Sequence, residues 1–272
     1  MRLTLPIVLG MLVASLCLGC ATPTGKPATD ATAADSGKDR VTASDESDAS
    51  KRARVRLELA SLYFTDGQMN TALDQVKLAI TADPSSSAAY NLRGLIYANL
   101  GDERLAEDSF RRALQLNPKD GDAMQNFGYY LCQKTRYAEA DALFDQAMAI
   151  PRYASAPRTW FTKGVCQAQA GQLPQSEASL QRSYELDPTN PATSITLAEV
   201  LYRRGEYERA RFYVRRVNAL PGAANAQTYW LAARIENRLG NQTGVQEFGG
   251  QLRRRFPEAP ETRAFNEGRF DG

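Results

Sequence analysis

The sequence predicts an all-α fold, a right-handed superhelix built from six helix–turn–helix repeats. Three observations lead to this prediction: small residues, glycine and proline each recur at a fixed position with a period close to 34 residues. A single helical hairpin cannot bury its own apolar face, so a phased series of hairpins has to stack into one continuous core.

The clearest repeat spans residues 87–120, where two apolar blocks at helical spacing are separated by Gly101 and closed by Pro118. Gly94 is small where the two helices must approach closely, and Phe110 fills the space beside it. Glycine can adopt the left-handed conformation that ends a helix, whereas proline cannot continue one. This pattern resembles the tetratricopeptide repeat, which implies a helical hairpin repeated along a solenoid.

The same positions recur along most of the chain. The small residue at position 8 of each repeat is Ala60, Gly94, Gly128, Gly164, Ala198 and Ala233. The turn residue at position 15 is Gly67, Gly101, Thr135, Gly171, Gly205 and Gly240. We therefore predict a repeat domain over residues 52–262, with repeats at about 53–86, 87–120, 121–156, 157–190, 191–225 and 226–259. Residues 263–272 are expected to form a short C-terminal tail that adds one capping turn.

The N-terminal segment has the composition of an export signal. Residues 1–20 combine one arginine with a short apolar run, which is typical of a secretory signal. The run ends in Leu18-Gly19-Cys20, which resembles a bacterial lipoprotein cleavage box and implies that Cys20 is the lipid attachment site. A plain cleavable signal is the alternative. Ala21 follows, and by analogy with enteric sorting this favours the periplasmic face of the outer membrane.

Residues 21–51 are predicted to be a disordered tether between the anchor and the repeats. They contain no aromatic residue and one large aliphatic residue, Val41. Such a segment cannot bury enough apolar surface to offset the entropy lost on ordering.

The composition also excludes several classes of function. The chain has no histidine, which removes the commonest general base and the commonest zinc ligand, and its net charge is only +2. No glycine-rich phosphate loop is present, because the glycines fall at repeat positions. We therefore expect no enzymatic activity, cofactor, metal or small-molecule substrate, and no nucleic acid as partner.

The resemblance to the tetratricopeptide repeat implies a partner-binding groove on the first helices. Positions 2, 5, 9, 12 and 13 of these helices are expected to line it, with apolar anchors and amides that suit an extended or helical peptide. The predicted groove residues are Leu57, Ser61, Phe64, Asn91, Leu95, Asn99, Gln125, Tyr129, Phe161, Tyr202 and Trp230, with Gln133 and Arg234 beside them. About a third of the apolar members are expected to belong to the core instead.

Two cysteines remain in the predicted repeat domain, Cys132 and Cys166. They fall on the first helices of consecutive repeats, and the export signal implies an oxidising compartment, which favours a disulfide. Positions 12 and 10 point in different directions on ideal helices, so burial as two small apolar thiols is the alternative.

Several stretches resemble one family in particular, the type IV pilus biogenesis and stability lipoproteins. They are NFGYYLC at residues 126–132, RYAEA at 136–140, AIPRYASAP at 149–157, GVC at 164–166, LAEVLY at 197–202 and QLRRRFPEAPE at 251–261. The resemblance implies a six-repeat lipoprotein, a pilotin, that helps the pilus secretin to reach or assemble in the outer membrane. The alternative is a general envelope scaffold that organises outer-membrane protein assembly or cell-wall enzymes.

Overall fold

The computed structural model describes residues 47–270, which contain thirteen α-helices and no strand. The helices are α1 Asp48–Thr65, α2 Met69–Ala82, α3 Ser87–Leu100, α4 Glu103–Leu116, α5 Gly121–Gln133, α6 Tyr137–Met148, α7 Ala156–Gln169, α8 Leu173–Leu186, α9 Pro191–Arg203, α10 Tyr207–Ala219, α11 Ala226–Arg238, α12 Gln242–Arg255 and α13 Pro260–Asn266. The prediction of an all-α solenoid is confirmed. The predicted signal at residues 1–20, Cys20 and nearly all of the predicted tether lie outside the described residues.

Within each repeat the two helices pack closely because the first helix carries a small residue at position 8. A Cβ atom added to Gly94 would lie 2.7 Å from Cδ1 of Phe110, and one added to Gly128 would lie 2.8 Å from Cε1 of Phe144. Both phenylalanine rings are fully buried, so neither could move aside without disturbing the core. The close approach of the two helices therefore explains why position 8 carries a small residue.

The turn between the helices requires a left-handed residue. Gly101 adopts φ 80° and Gly205 adopts the same angle. Thr135 occupies the equivalent position in the third repeat with φ 59°, a conformation that is costly for a β-branched residue. The repeat geometry thus overrides the local preference of the threonine.

The solenoid curves toward its first helices, which are the odd-numbered helices from α1 to α11. Each first helix contacts the first helix of the next repeat, whereas between residues 47 and 270 the second helices make no such contact with one another. The first helices therefore form the inner surface, and the second helices form the outer surface.

Both ends of the repeat domain differ from the predicted boundaries. Helix α1 begins at Asp48, capped by the hydroxyl of Ser47, so residues 48–51 are helical where a tether was predicted. At the other end, α13 runs through the predicted boundary at residues 262 and 263 and buries Phe265 against α11 and α12. The expected capping turn is thus a helix of seven residues.

Ion pairs join neighbouring repeats behind the inner surface. Glu236 of α11 is fully buried, and one carboxylate oxygen lies 2.6 Å from an Nη atom of Arg215 in α10. Asn241 donates to the other oxygen at 2.7 Å, so the buried carboxylate is satisfied.

No helix within residues 47–270 is both long and apolar enough to cross a bilayer.

Candidate partner-binding groove

The inner surface of the first helices is the candidate binding groove. All of the predicted groove residues lie on first helices, and all but one keep part of their surface accessible. The half-buried ones are Leu57, Phe64, Asn91, Leu95, Phe161, Tyr202 and Trp230, and the exposed ones are Ser61, Asn99 and Tyr129. The apolar members also contact the core clusters beneath them, so they contribute to both the core and the groove.

Gln125 does not belong to the accessible groove. Only 3% of its surface is exposed. The prediction that Gln125 lines the accessible groove is therefore wrong. Position 5 is buried in this repeat and accessible in its neighbours.

The first accessible concavity, the central pocket, lies between α3 and α5 and has a volume of about 420 Å³. It is lined by Leu95, Ala98, Asn99, Asn126, Tyr129, Tyr130 and Gln133. Tyr129 is 45% exposed, an unusual degree for a large aromatic side chain on an inner surface.

Amide groups hold the walls of the central pocket in place. Asn99 donates from Nδ2 to the main-chain oxygen of Leu95 at 2.9 Å, and Asn126 donates to Oδ1 of Asn91 at 3.3 Å. A lining of amides and tyrosines suits a peptide whose side chains and main chain are both recognised.

The second concavity, the C-terminal pocket, lies between α9 and α11 and has a volume of about 510 Å³. It is lined by Glu199, Tyr202, Arg203, Gln227, Trp230, Leu231 and Arg234. The guanidinium of Arg234 lies over the ring of Tyr202 at 4.7 Å from its centroid, and Nε of Arg238 lies 3.5 Å from the Tyr202 hydroxyl oxygen. These contacts fix the aromatic wall of the pocket.

Glu199 is the acidic group of the C-terminal pocket. The surrounding walls desolvate its carboxyl group, which raises its pKa, while the charges of Arg203 and Arg234 act in the opposite direction. Its surface is nevertheless accessible to solvent, so it can contact a bound partner.

Some lining residues were missing from the predicted set. Asn126 and Tyr130 occupy positions 6 and 10, each one residue beyond a position assigned to the groove. Glu199, Arg203 and Gln227 occupy positions 9, 13 and 2, which the repeat pattern does assign to the groove. The signal for the second group was therefore present in the sequence.

A disulfide lies at the middle of the solenoid. The structure joins Cys132 of α5 to Cys166 of α7, with Cα atoms 5.8 Å apart, and both residues are buried. This Cα distance lies within the usual range for a bridge. No cluster of three or more metal-ligating side chains occurs among residues 47–270.

The comparisons with known proteins agree with this geometry. Tetratricopeptide-repeat family models match residues 87–120, 126–191 and 167–234. The chain is therefore a tetratricopeptide-repeat protein, a class in which stacked helical hairpins form a solenoid.

Within this class, the chain belongs to the family of the type IV pilus biogenesis proteins PilW and PilF. The crystal structure of PilW, a widely conserved type IV pilus biogenesis factor, is 30% identical, with a TM-score of 0.71, covering 78% of this chain and 97% of PilW. The type IV pilus assembly protein PilF of Pseudomonas aeruginosa is 25% identical over 218 residues, which are 80% of this chain and 85% of PilF. A solved structure of P. aeruginosa PilF has the same fold, with a TM-score of 0.71 at 24% identity.

Proposed function

We propose that this protein is an outer-membrane lipoprotein that acts as a pilotin, assisting assembly of the type IV pilus secretin by holding a secretin segment in its groove. The observation that carries the proposal is the similarity to PilW, which extends over 97% of the PilW chain. Tetratricopeptide-repeat surfaces commonly bind other proteins, which supports a partner within the same assembly. We therefore propose a scaffold and not an enzyme.

The groove supports this role through its two separated pockets. The central pocket presents Tyr129 and the C-terminal pocket presents Trp230, each surrounded by polar side chains. Aromatic anchors in partly closed pockets are the residues that usually contribute most to binding a protein segment. A partner segment that follows the inner surface would contact both pockets along its length.

The proposed attachment is a lipid on Cys20. A single acyl chain binds a membrane only weakly and reversibly, so stable anchoring would require at least two acyl chains on this cysteine.

A co-purification experiment tests the groove. Tyr129→Ala removes an exposed aromatic side chain from the central pocket, whereas Phe212→Ala removes one from α10 on the outer surface. We expect the secretin to be lost with Tyr129→Ala and retained with Phe212→Ala. Equal recovery with both variants would contradict groove binding, and a deletion strain with normal pili would favour the general envelope scaffold.

A further inference from the structure

The C-terminal end of the groove already holds a segment of the chain itself. Beyond α13 the chain turns at Gly268, which has φ 67°, and brings the ring of Phe270 to 5.3 Å from that of Trp230, centroid to centroid. The main-chain oxygen of Phe270 accepts a hydrogen bond from Nε of Arg234 at 3.2 Å. Two side chains one turn apart on α11 therefore recognise both the ring and the oxygen of one residue.

The same two side chains also line the C-terminal pocket. Trp230 and Arg234 form one wall of this concavity, and Tyr202 and Arg203 of α9 form the other. The position of Arg234 is fixed because its guanidinium lies over the Tyr202 ring. The two side chains that contact the tail thus also face an open space large enough for a bulky side chain.

The charges of the pocket favour an anionic ligand. Arg203 and Arg234 contribute two positive charges and Glu199 one negative charge, so the lining carries a net charge of +1. Arg238 lies next to the pocket, since it contacts the Tyr202 hydroxyl group. A lysine-rich ligand would have to place its ammonium groups among these arginines, which is unfavourable.

We propose that the C-terminal pocket binds a partner segment in which an aromatic side chain is followed directly by carboxylate side chains. The aromatic ring would pack between Trp230 and Tyr202, and the carboxylates would accept charge-assisted hydrogen bonds from Arg203 and Arg234. The lining of the central pocket contains no charged side chain: Asn99 occupies the repeat position of Arg203, and Tyr129 that of Arg234. This inference rests on the proposed function and adds to it the chemistry of the recognised segment.

Peptide binding to the detergent-solubilised full-length protein tests this inference. The probe is a fluorescently labelled hexapeptide, acetyl-Gly-Ser-Phe-Asp-Glu-Gly-amide, followed by anisotropy. One control peptide replaces Phe with Ser, and another replaces both acidic residues with Lys. We expect the acidic aromatic peptide to bind about tenfold more tightly than either control, and we expect its binding to weaken as salt is raised.

Variants locate the binding to this pocket. Arg203→Gln removes one positive charge from the α9 wall, and Arg234→Gln removes one from the α11 wall. Each substitution should lower the affinity for the acidic peptide about tenfold. Arg182→Gln, in an exposed ion pair with Glu185 on α8, is the matched control and should leave binding unchanged. Because Arg234 also contacts the tail, circular dichroism melting has to show that each variant remains folded.

Two results would overturn the inference: equal affinity for the acidic and lysine-containing peptides, or unchanged binding in a folded Arg203→Gln variant. These results are separable from the test of the proposed function. A protein that captures the secretin but does not discriminate the acidic peptide would refute this inference alone. One that binds the acidic peptide at the pocket but captures no secretin would refute the proposed function alone.

Discussion

Cys132 and Cys166 lie on first helices of adjacent repeats, and their Cα atoms are only 5.8 Å apart. The third repeat contains two residues more than its neighbours, so the two cysteines remain 34 residues apart although they occupy different repeat positions. The bridge therefore links α5 to α7 at the middle of the solenoid, between the two pockets of the groove.

The first prediction concerns this bridge. Replacing Cys132 and Cys166 by serine should lower the free energy of unfolding by about 3–4 kcal/mol, because a loop of 34 residues is no longer closed in the unfolded chain. Urea denaturation of the two proteins measures the difference. Mass spectrometry of the unreduced protein is the control, and two alkylatable thiols in the folded domain would show that the bridge is absent.

The second prediction concerns the left-handed residue Thr135. Thr135→Gly should raise the unfolding free energy by about 1 kcal/mol, since glycine adopts φ 59° without steric strain. Thr135→Ala is the matched control because it keeps the Cβ atom, and it should give no comparable gain. A thermal melt in which alanine stabilises as much as glycine would show that the strain at this turn is not the cause.

The third prediction concerns close packing within a repeat. Gly128→Ala should destabilise the protein by about 1–3 kcal/mol, because the new Cβ would meet the buried Phe144 ring at 2.8 Å. Gly250→Ala is the same change where the nearest atom, on Arg254, lies at 3.6 Å. There the gain in helix propensity should stabilise by about 0.5–1 kcal/mol. Equal effects of the two changes in chemical denaturation would count against the packing explanation.

The fourth prediction concerns pH. The Arg136 guanidinium donates a hydrogen bond to Glu107 at 2.6 Å and lowers the pKa of that carboxyl group. Desolvation by burial raises this pKa, and Arg111 lowers it further. The depressed pKa means that the ion pair stabilises the protein above the unfolded-state pKa, about 4.3, and that this stability is lost as pH falls through the folded-state pKa.

Glu107→Gln should therefore destabilise by about 1 kcal/mol at pH 7 and progressively less as the pH is lowered below about 4. Urea titrations at pH 7 and pH 3 measure this difference. Glu185→Gln, in the exposed pair with Arg182, is the control and should have little effect at either pH. A destabilisation by Glu107→Gln that is as large at pH 3 as at pH 7 would contradict the assignment.

The repeat architecture could be predicted from the sequence because its determinants are local and periodic. Gly94 and Gly101 each satisfy one geometric requirement, close approach or a left-handed turn, and the same requirement recurs in every repeat. The ends were less predictable, because α13 has no periodic partner and forms by packing Phe265 on the last repeat. At the start, helix α1 extends to a capping serine through a polar stretch that lacks the apolar spacing of the repeats.

The groove could be predicted only in part, because repeat positions define which side chains point inward but not how deeply each is covered. Gln125 and Asn91 occupy the same repeat position, yet Gln125 is buried and Asn91 is half-buried. The contact of Phe270 with Trp230 joins residues from separate elements, and no spacing in the sequence encodes it.

The central claim is that the groove acts on the pilus secretin at the outer membrane. The most direct measurement is the amount of multimeric secretin in the outer-membrane fraction of a deletion strain complemented with the native chain, Cys20→Ala, Tyr129→Ala or Phe212→Ala. We predict normal multimer content with the native chain and Phe212→Ala, and a clear loss with Cys20→Ala and Tyr129→Ala. Full multimer content in the uncomplemented deletion strain would contradict the account.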